Sequence, residues 1–218
     1  MIKAIIFDFD GVIVDSNHVK TDAFVKLFRG YPASIRELVR KYHLQNGGMS
    51  RFDKFRHIYA DFIKEPLPKE KFDELCGDFN RLVMDGVIKA PFFDGVIDFL
   101  ERNRDAYAMY IVSGTPDFEI KEIVRRRGLD KYFIDVYGSP RSKKELIEIL
   151  LAEHGHRKEE AVFVGDSIND YEGAVGSGVG FIAKIDDNLG VEQFPGVDLK
   201  ISIKGMAELG RHLDGLGE

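Results

Sequence analysis

The sequence predicts an α/β protein: a doubly wound parallel sheet with a Rossmann-like core, and an α-helical cap domain inserted into it. Three observations predict this. Short, β-branched apolar runs alternate with amphipathic helical stretches along most of the chain. One segment, residues 16–90, breaks the rhythm and shows helical patterning without a strand. Several apolar runs end in acids, glycines or hydroxyl residues, where an open α/β sheet places its ligands. The core is assigned to residues 1–15 and 91–218, and the cap to residues 16–90.

The first run, residues 4–7, is stopped by Asp8-Phe9-Asp10-Gly11 and reads as a buried parallel strand. Comparable runs lie at 108–112, 133–137, 161–164 and 179–183, with a last one at 199–203. Helices are expected at 92–104, 116–127, 143–154, 168–175 and from 204 onward. Within the cap, Ser16, Ser34 and Ser50 are candidate N-caps for three helices. Breaks fall at Gly30-Tyr31-Pro32, Asn46-Gly47-Gly48 and Pro66-Leu67-Pro68, and a fourth helix runs from Lys69 toward Val87.

Composition narrows the function. The chain has 218 residues, enough for one domain with a modest insertion. With 31 Lys and Arg against 37 Asp and Glu, its net charge of −6 argues against sequence-independent nucleic-acid binding. A single cysteine, Cys76, excludes an internal disulfide and a multi-cysteine zinc site. No apolar stretch is long enough to span a bilayer, and the first residues lack a cleavable-signal pattern, so a cytoplasmic location without membrane partners is expected. A monomer is expected too, because no contiguous apolar stripe stands out.

The chemistry is concentrated at strand ends. Asp8 and Asp10 flank Phe9, and strand alternation aims both to one side, where two carboxylates need a cation or a shared proton. An acidic turn before Gly11 is the other reading. Gly165-Asp166-Ser167-Ile168-Asn169-Asp170 follows the fourth strand, and Asp170 lies one helical turn beyond Asp166. A helix N-cap explains these residues as well. Four acids around one crevice are costly without a hard cation such as Mg²⁺, which takes oxygen ligands and leaves room for a substrate phosphate. Ser113-Gly114-Thr115 offers a hydroxyl and backbone N–H groups at a helix start, and Lys143 or Lys144 could reach the crevice as a point charge.

In this order, Asp-x-Asp, Ser-Gly, Lys and Gly-Asp-x-x-x-Asp, the set resembles the haloacid dehalogenase superfamily, in particular its phosphatase-type members with a helical cap. Asp8 to Ser16 looks like the first motif, Ser113 the second, Lys143 the third, and Gly165-Asp166-Ser167 with Asp170 the fourth. The resemblance implies a Mg²⁺-dependent phosphatase acting on a small phosphate ester. Asp8 would be the nucleophile that forms an aspartyl-phosphate, and Asp10 the acid and then the base. Mg²⁺ would be held by Asp8, the Asp10 carbonyl and Asp166, with Asp170 a ligand or a support. Ser113, Gly114 and Lys143 would hold the phosphate oxygens. Family members that cleave carbon–halogen bonds lack an acid at the Asp10 position, so Asp10 argues against a dehalogenase.

The resemblance also places substrate choice in the cap loop, here residues 45–51, with Asn46 and Arg51 as candidates. A helix stop at Gly47-Gly48 and a start at Ser50 explain the same residues. Gly48-Met49-Ser50-Arg51 is similar to the cap loop of β-phosphoglucomutases, where an Arg binds a second phosphate, so a sugar-phosphate mutase is the alternative. The Ser167 position is more similar to phosphatases.

Overall fold

The computed structural model describes residues 1–186 and 190–215. Six strands form one parallel sheet: β1 (Ala4–Phe7), β2 (Ala108–Pro116), β3 (Asp135–Ser139), β4 (Ala161–Gly165), β5 (Gly180–Lys184) and β6 (Ser202–Ile203). Their spatial order is β3-β2-β1-β4-β5-β6, which reverses direction at β1. Such a reversal opens a crevice at the carboxyl ends of the central strands. Phe7 pairs with Ile111 of β2 on one side and Val164 of β4 on the other, so the residues that follow each strand emerge side by side.

β1 is apolar throughout because both faces are covered. Ile5 and Phe7 join one cluster with Met109, Ile111, Val162 and Val164, while Ala4 and Ile6 join another with Tyr110, Val112 and Phe163. The covering helices are α5 (Val96–Asn103), α6 (Asp117–Arg126), α7 (Lys143–His154), α8 (Ile168–Ser177) and α9 (Met206–Gly215).

Four helices and no strand lie between β1 and α5: α1 (Asn17–Leu27), α2 (Ala33–Gln45), α3 (Arg51–His57) and α4 (Lys69–Lys89). Aromatic rings hold them together, with Phe24 4.6 Å from Phe79 and 5.4 Å from Phe55. The two chain crossings into this segment are hydrogen-bonded to each other, Asp15 N–H to Pro91 O (3.0 Å) and Phe93 N–H to Ile13 O (3.2 Å).

The strand expected at 133–137 forms at Asp135–Ser139, Ser113-Gly114-Thr115 lies within β2 ahead of α6, and within the cap local expectations differ from the structure at three places. Ser34 is not a cap: α2 starts at Ala33 behind Pro32, whose fixed φ suits helix entry and whose carbonyl accepts from Arg36 N–H (3.1 Å). The helix expected to run on from Ser50 changes to a π-helical turn at Ile58–Ile63 and stops at Lys64 in the left-handed conformation. Ser16 precedes α1 but makes no side-chain cap, because its hydroxyl is used at the crevice.

Candidate active site

The floor of the crevice is built where β1 and β4 end. Asp8 is buried, and its backbone N–H still bonds to Val164 O (2.9 Å), which fixes it at the sheet edge. Gly11 turns the chain away at φ +83°, and a Cβ there would lie 1.9 Å from Asp166 Oδ2. Only glycine lets the β1 turn and the β4 carboxylate share this space. Asp8, Asp166 and Asp170 offer oxygens that all lie within 4.8 Å of one another.

Ser167 N-caps α8, and Asp170 closes the capping box, accepting from Ser167 N–H (3.0 Å) and Oγ (2.5 Å). The capping and site readings of this motif therefore fall on the same atoms. The other Asp170 oxygen accepts from Lys143 Nζ, which also lies 3.0 Å from Asp8 Oδ1. Lys143 is buried at the first turn of α7, whereas Lys144 points outward to Glu148. Burial disfavours the Lys143 ammonium, but Asp170 and Asp8 outweigh it and raise its pKa. Burial pushes Asp8 well above the usual carboxylate range, against Lys143 and with the added repulsion of Asp170, Asp166 and Asp10. Burial and Asp170 lift Asp166 to about 7, although Asn17 Nδ2 donates to it (2.9 Å).

Asp10 sits in a separate network. Ser16 Oγ donates to its Oδ1 (2.5 Å), and Lys20 Nζ and Thr115 Oγ1 (3.3 Å) donate to its Oδ2. Burial alone would raise its pKa, but Lys20 and these hydrogen bonds hold it below the ordinary value. Ser113 Oγ accepts from Thr115 N–H (3.1 Å), and Ser113, Gly114 and Thr115 all line the crevice. Asn17 and Lys20 escape motif reading, and Thr115 is singled out there only as part of a helix start. A signal was present: positions 17, 20, 21 and 24 form one helical face, and all four line the cavity.

The cavity measures about 600 Å³ and is roofed by α1–α4 and the 47–49 loop. That loop rests on the floor: Asn169 Nδ2 donates to Gly47 O (2.9 Å), and a Cβ on Gly114 would come within 2.2 Å of Gly48 O. Arg51 borders the cavity, but its guanidinium is committed. Nη1 and Nη2 bond Glu119 Oε1 and Oε2 at 3.1 and 2.5 Å, and Phe79 stacks against it. Asn46 turns back on its own helix, donating to Tyr42 O (2.8 Å), and does not line the cavity. Two buried residues that sequence reasoning passed over, His43 and Lys54, do line it.

The donor set suits a hard divalent cation. Three clustered carboxylates, with Asp8 Oδ1 buried and lacking a directed hydrogen bond, offer oxygens within 4.8 Å of one another, the donor type that Mg²⁺ takes. A cation there would offset the burial, and then the mutual repulsion, that raise Asp8 and Asp166.

Similarity to other proteins agrees with this geometry. The family model of the haloacid dehalogenase-like hydrolases matches residues 2–178. A phosphoglycolate phosphatase of Vibrio parahaemolyticus is 32% identical over 189 residues, 81% of either chain. A solved structure described as a predicted phosphatase, from Clostridium acetobutylicum, has a TM-score of 0.78 at 17% identity over 99% of both chains. A β-phosphoglucomutase of Clostridium difficile has a TM-score of 0.78 at 13% identity, over 99% of this chain and 97% of its own. At such identities the two structures speak for the fold alone. The family match over most of the chain and the relative above 30% identity carry the assignment: this chain belongs to the haloacid dehalogenase-like hydrolases.

Proposed function

We propose that the protein is a Mg²⁺-dependent phosphatase that hydrolyses a small phosphorylated metabolite through an aspartyl-phosphate on Asp8. The observation that carries this reading is the split between two carboxylates on one strand end. Asp8 sits among Lys143, Asp166 and Asp170, while Asp10 is held apart by Lys20, Ser16 and Thr115. Carboxylates in contrasting environments take contrasting roles.

Asp8, Asp166 and the Asp10 carbonyl would hold the cation, and Asp170 supports them because both its oxygens are engaged by Lys143 and Ser167. Bound Mg²⁺ would neutralise charge so that a carboxylate can approach a phosphate. An Asp8 oxygen attacks phosphorus; that O–P bond forms as the ester O–P bond breaks. Asp10 gives a proton to the leaving oxygen, then takes one from the water that attacks the acyl phosphate. At rest Lys20 holds Asp10 in the ionised form that the second half needs, so the proton for the leaving oxygen enters with the monoprotonated ester and passes through Asp10. Ser113, Gly114 and Lys143 bind the non-bridging oxygens. The helical segment acts as a cap, and the loop at Gly47 and Gly48 shuts it against the floor.

The curated relative acts, by its name, on phosphoglycolate, and a phosphate ester of that size is the first substrate to test. A mutase needs a cation for a second phosphate, and the pairing of Arg51 with Glu119 argues against that role. The test is phosphate release from an aryl phosphate. Release should require Mg²⁺ and stop with EDTA, and Asp8→Asn should abolish it. Activity that survives both would overturn the mechanism.

A further inference from the structure

We propose that Lys54, not the expected Arg51, reads the far end of the substrate, and that it takes the single carboxylate of a short phosphorylated acid. This rests on the phosphatase reading above and deepens it.

Lys54 lies on α3, is 3% exposed and lines the cavity beneath the helical roof. Among the described residues no carboxylate oxygen lies within ion-pair distance of its ammonium. Its partners are neutral: Nζ donates to His43 Nδ1 (3.1 Å), and the Phe24 ring lies 5.5 Å away. Burial holds His43 down at about 2, so its imidazole is uncharged and Nδ1 can accept. An ammonium has three donors, and His43 takes one. A buried cation left this way is costly unless something brings it an anion.

The neighbouring cations are already matched. Arg51 is neutralised by both oxygens of Glu119, Lys20 by Asp10, and Lys143 by Asp8 and Asp170. Only Lys54 leaves the cap side of the cavity with an unbalanced charge among the described residues. One positive charge matches a carboxylate better than the nearly double charge of a second phosphate. Lys54 shares one cavity with Asp8, Asp10 and Asp166, so a single small ligand can meet the roof lysine and the floor carboxylates. The Lys54 ammonium, lowered to about 7 by burial and then by Lys20, would be restored by an anion beside it.

The experiment compares three substrates: phosphoglycolate, its counterpart without the carboxylate, 2-hydroxyethyl phosphate, and an aryl phosphate. Wild-type protein should favour phosphoglycolate over 2-hydroxyethyl phosphate by about tenfold or more in kcat/KM, as expected for a charge-assisted contact. Lys54→Met should collapse that ratio to within about threefold, mainly through KM, and Lys54→Arg should restore part of it. A wild-type ratio near one, with the aryl phosphate still cleaved, would overturn the role of Lys54 and leave the phosphatase reading intact. That role also falls if Lys54→Met lowers all three substrates equally, which would make the lysine a packing element. If no phosphate is released from any of the three, the phosphatase reading itself fails. If Lys54→Met does not fold, Lys54→Arg carries the test: a phosphoglycolate preference unchanged from wild type, with all three rates unchanged, would overturn the role of Lys54.

Discussion

Two lysines of this protein are buried to nearly the same degree, Lys143 at 8% exposure and Lys54 at 3%, yet burial has opposite outcomes for them. Lys143 sits between Asp8 and Asp170 and binds its proton more tightly than a free lysine. Lys54 faces a neutral imidazole and an aromatic ring and binds its proton less tightly, at about 7. Desolvation acts on both, and the counter-charge decides the sign. The core floor carries its compensation within the chain. The helical roof leaves Lys54 without a carboxylate partner among the described residues.

The sharpest way to break this contrast is to replace each lysine with methionine, which keeps length and removes charge. Lys143→Met strands the Asp8 and Asp170 carboxylates. It should lower stability in metal-free buffer by about 3 kcal/mol and reduce phosphate release from an aryl phosphate by about a hundredfold or more. Denaturant melts and steady-state rates check both. A Lys143→Met protein as stable and active as wild type would remove the central premise of the floor.

The next largest effect concerns Arg51, whose buried pairing with Glu119 links α3 to α6. Arg51→Ala leaves Glu119 buried without its partner and should cost about 3 kcal/mol. Because the guanidinium is occupied, kcat/KM should fall by a similar factor on phosphoglycolate and on an aryl phosphate. A loss confined to phosphoglycolate would return Arg51 to the substrate and weaken the case for Lys54.

How much of this was legible in the sequence follows from the range of each interaction. The strands and their alternation with helices were readable because burial writes apolar periodicity into neighbouring residues. Asp8, Asp10, Ser113, Lys143, Asp166 and Asp170 stand next to strand ends or helix starts, so local pattern marks them as candidates. The Arg51–Glu119 pair spans 68 positions and the Lys20–Thr115 contact 95, and nothing near either residue announces its partner. Ser16 could be located but not assigned, because a cap and a hydrogen bond to Asp10 need the same hydroxyl. Nothing near Lys54 in the sequence marks it, since only tertiary packing shows that α2 and α1 cover it with His43 and Phe24.

Lys54→Met should act in the opposite direction to Lys143→Met. Removing a buried charge with no carboxylate partner among the described residues should leave stability unchanged or raise it by about 1–2 kcal/mol at pH 6. The pH dependence has a defined sign. Lys54 titrates near 7 in the folded protein against an ordinary 10.5, so between these values the unfolded chain holds the extra proton. Wild-type stability should therefore rise with pH relative to Lys54→Met across that window, by up to about 1.4 kcal/mol per pH unit. Below about pH 7 the gap should be flat. Parallel melts of the two proteins from pH 6 to 10 measure it, and a wild-type stability that falls with pH relative to Lys54→Met would contradict the assignment.

The smallest expected effect separates the two candidate cap-loop residues. Asn46 and Arg51 stand five positions apart, but Asn46 spends its amide on the Tyr42 carbonyl at the end of α2, where the last carbonyls of a helix lack partners. Asn46 N–H donates to the same carbonyl at 3.1 Å, so the side chain shares an acceptor that is already satisfied. Asn46→Ala should then cost only about 0.5–1 kcal/mol. Its side chain does not line the cavity, so KM for phosphoglycolate and for an aryl phosphate should each stay within about twofold of wild type. The loop behind it bears on the floor through Gly47 O and Asn169, a contact made by backbone that the substitution leaves in place. A KM increase of tenfold on phosphoglycolate alone would mean that Asn46 leaves Tyr42 when substrate binds, and the roof would then read its ligand with two residues instead of one.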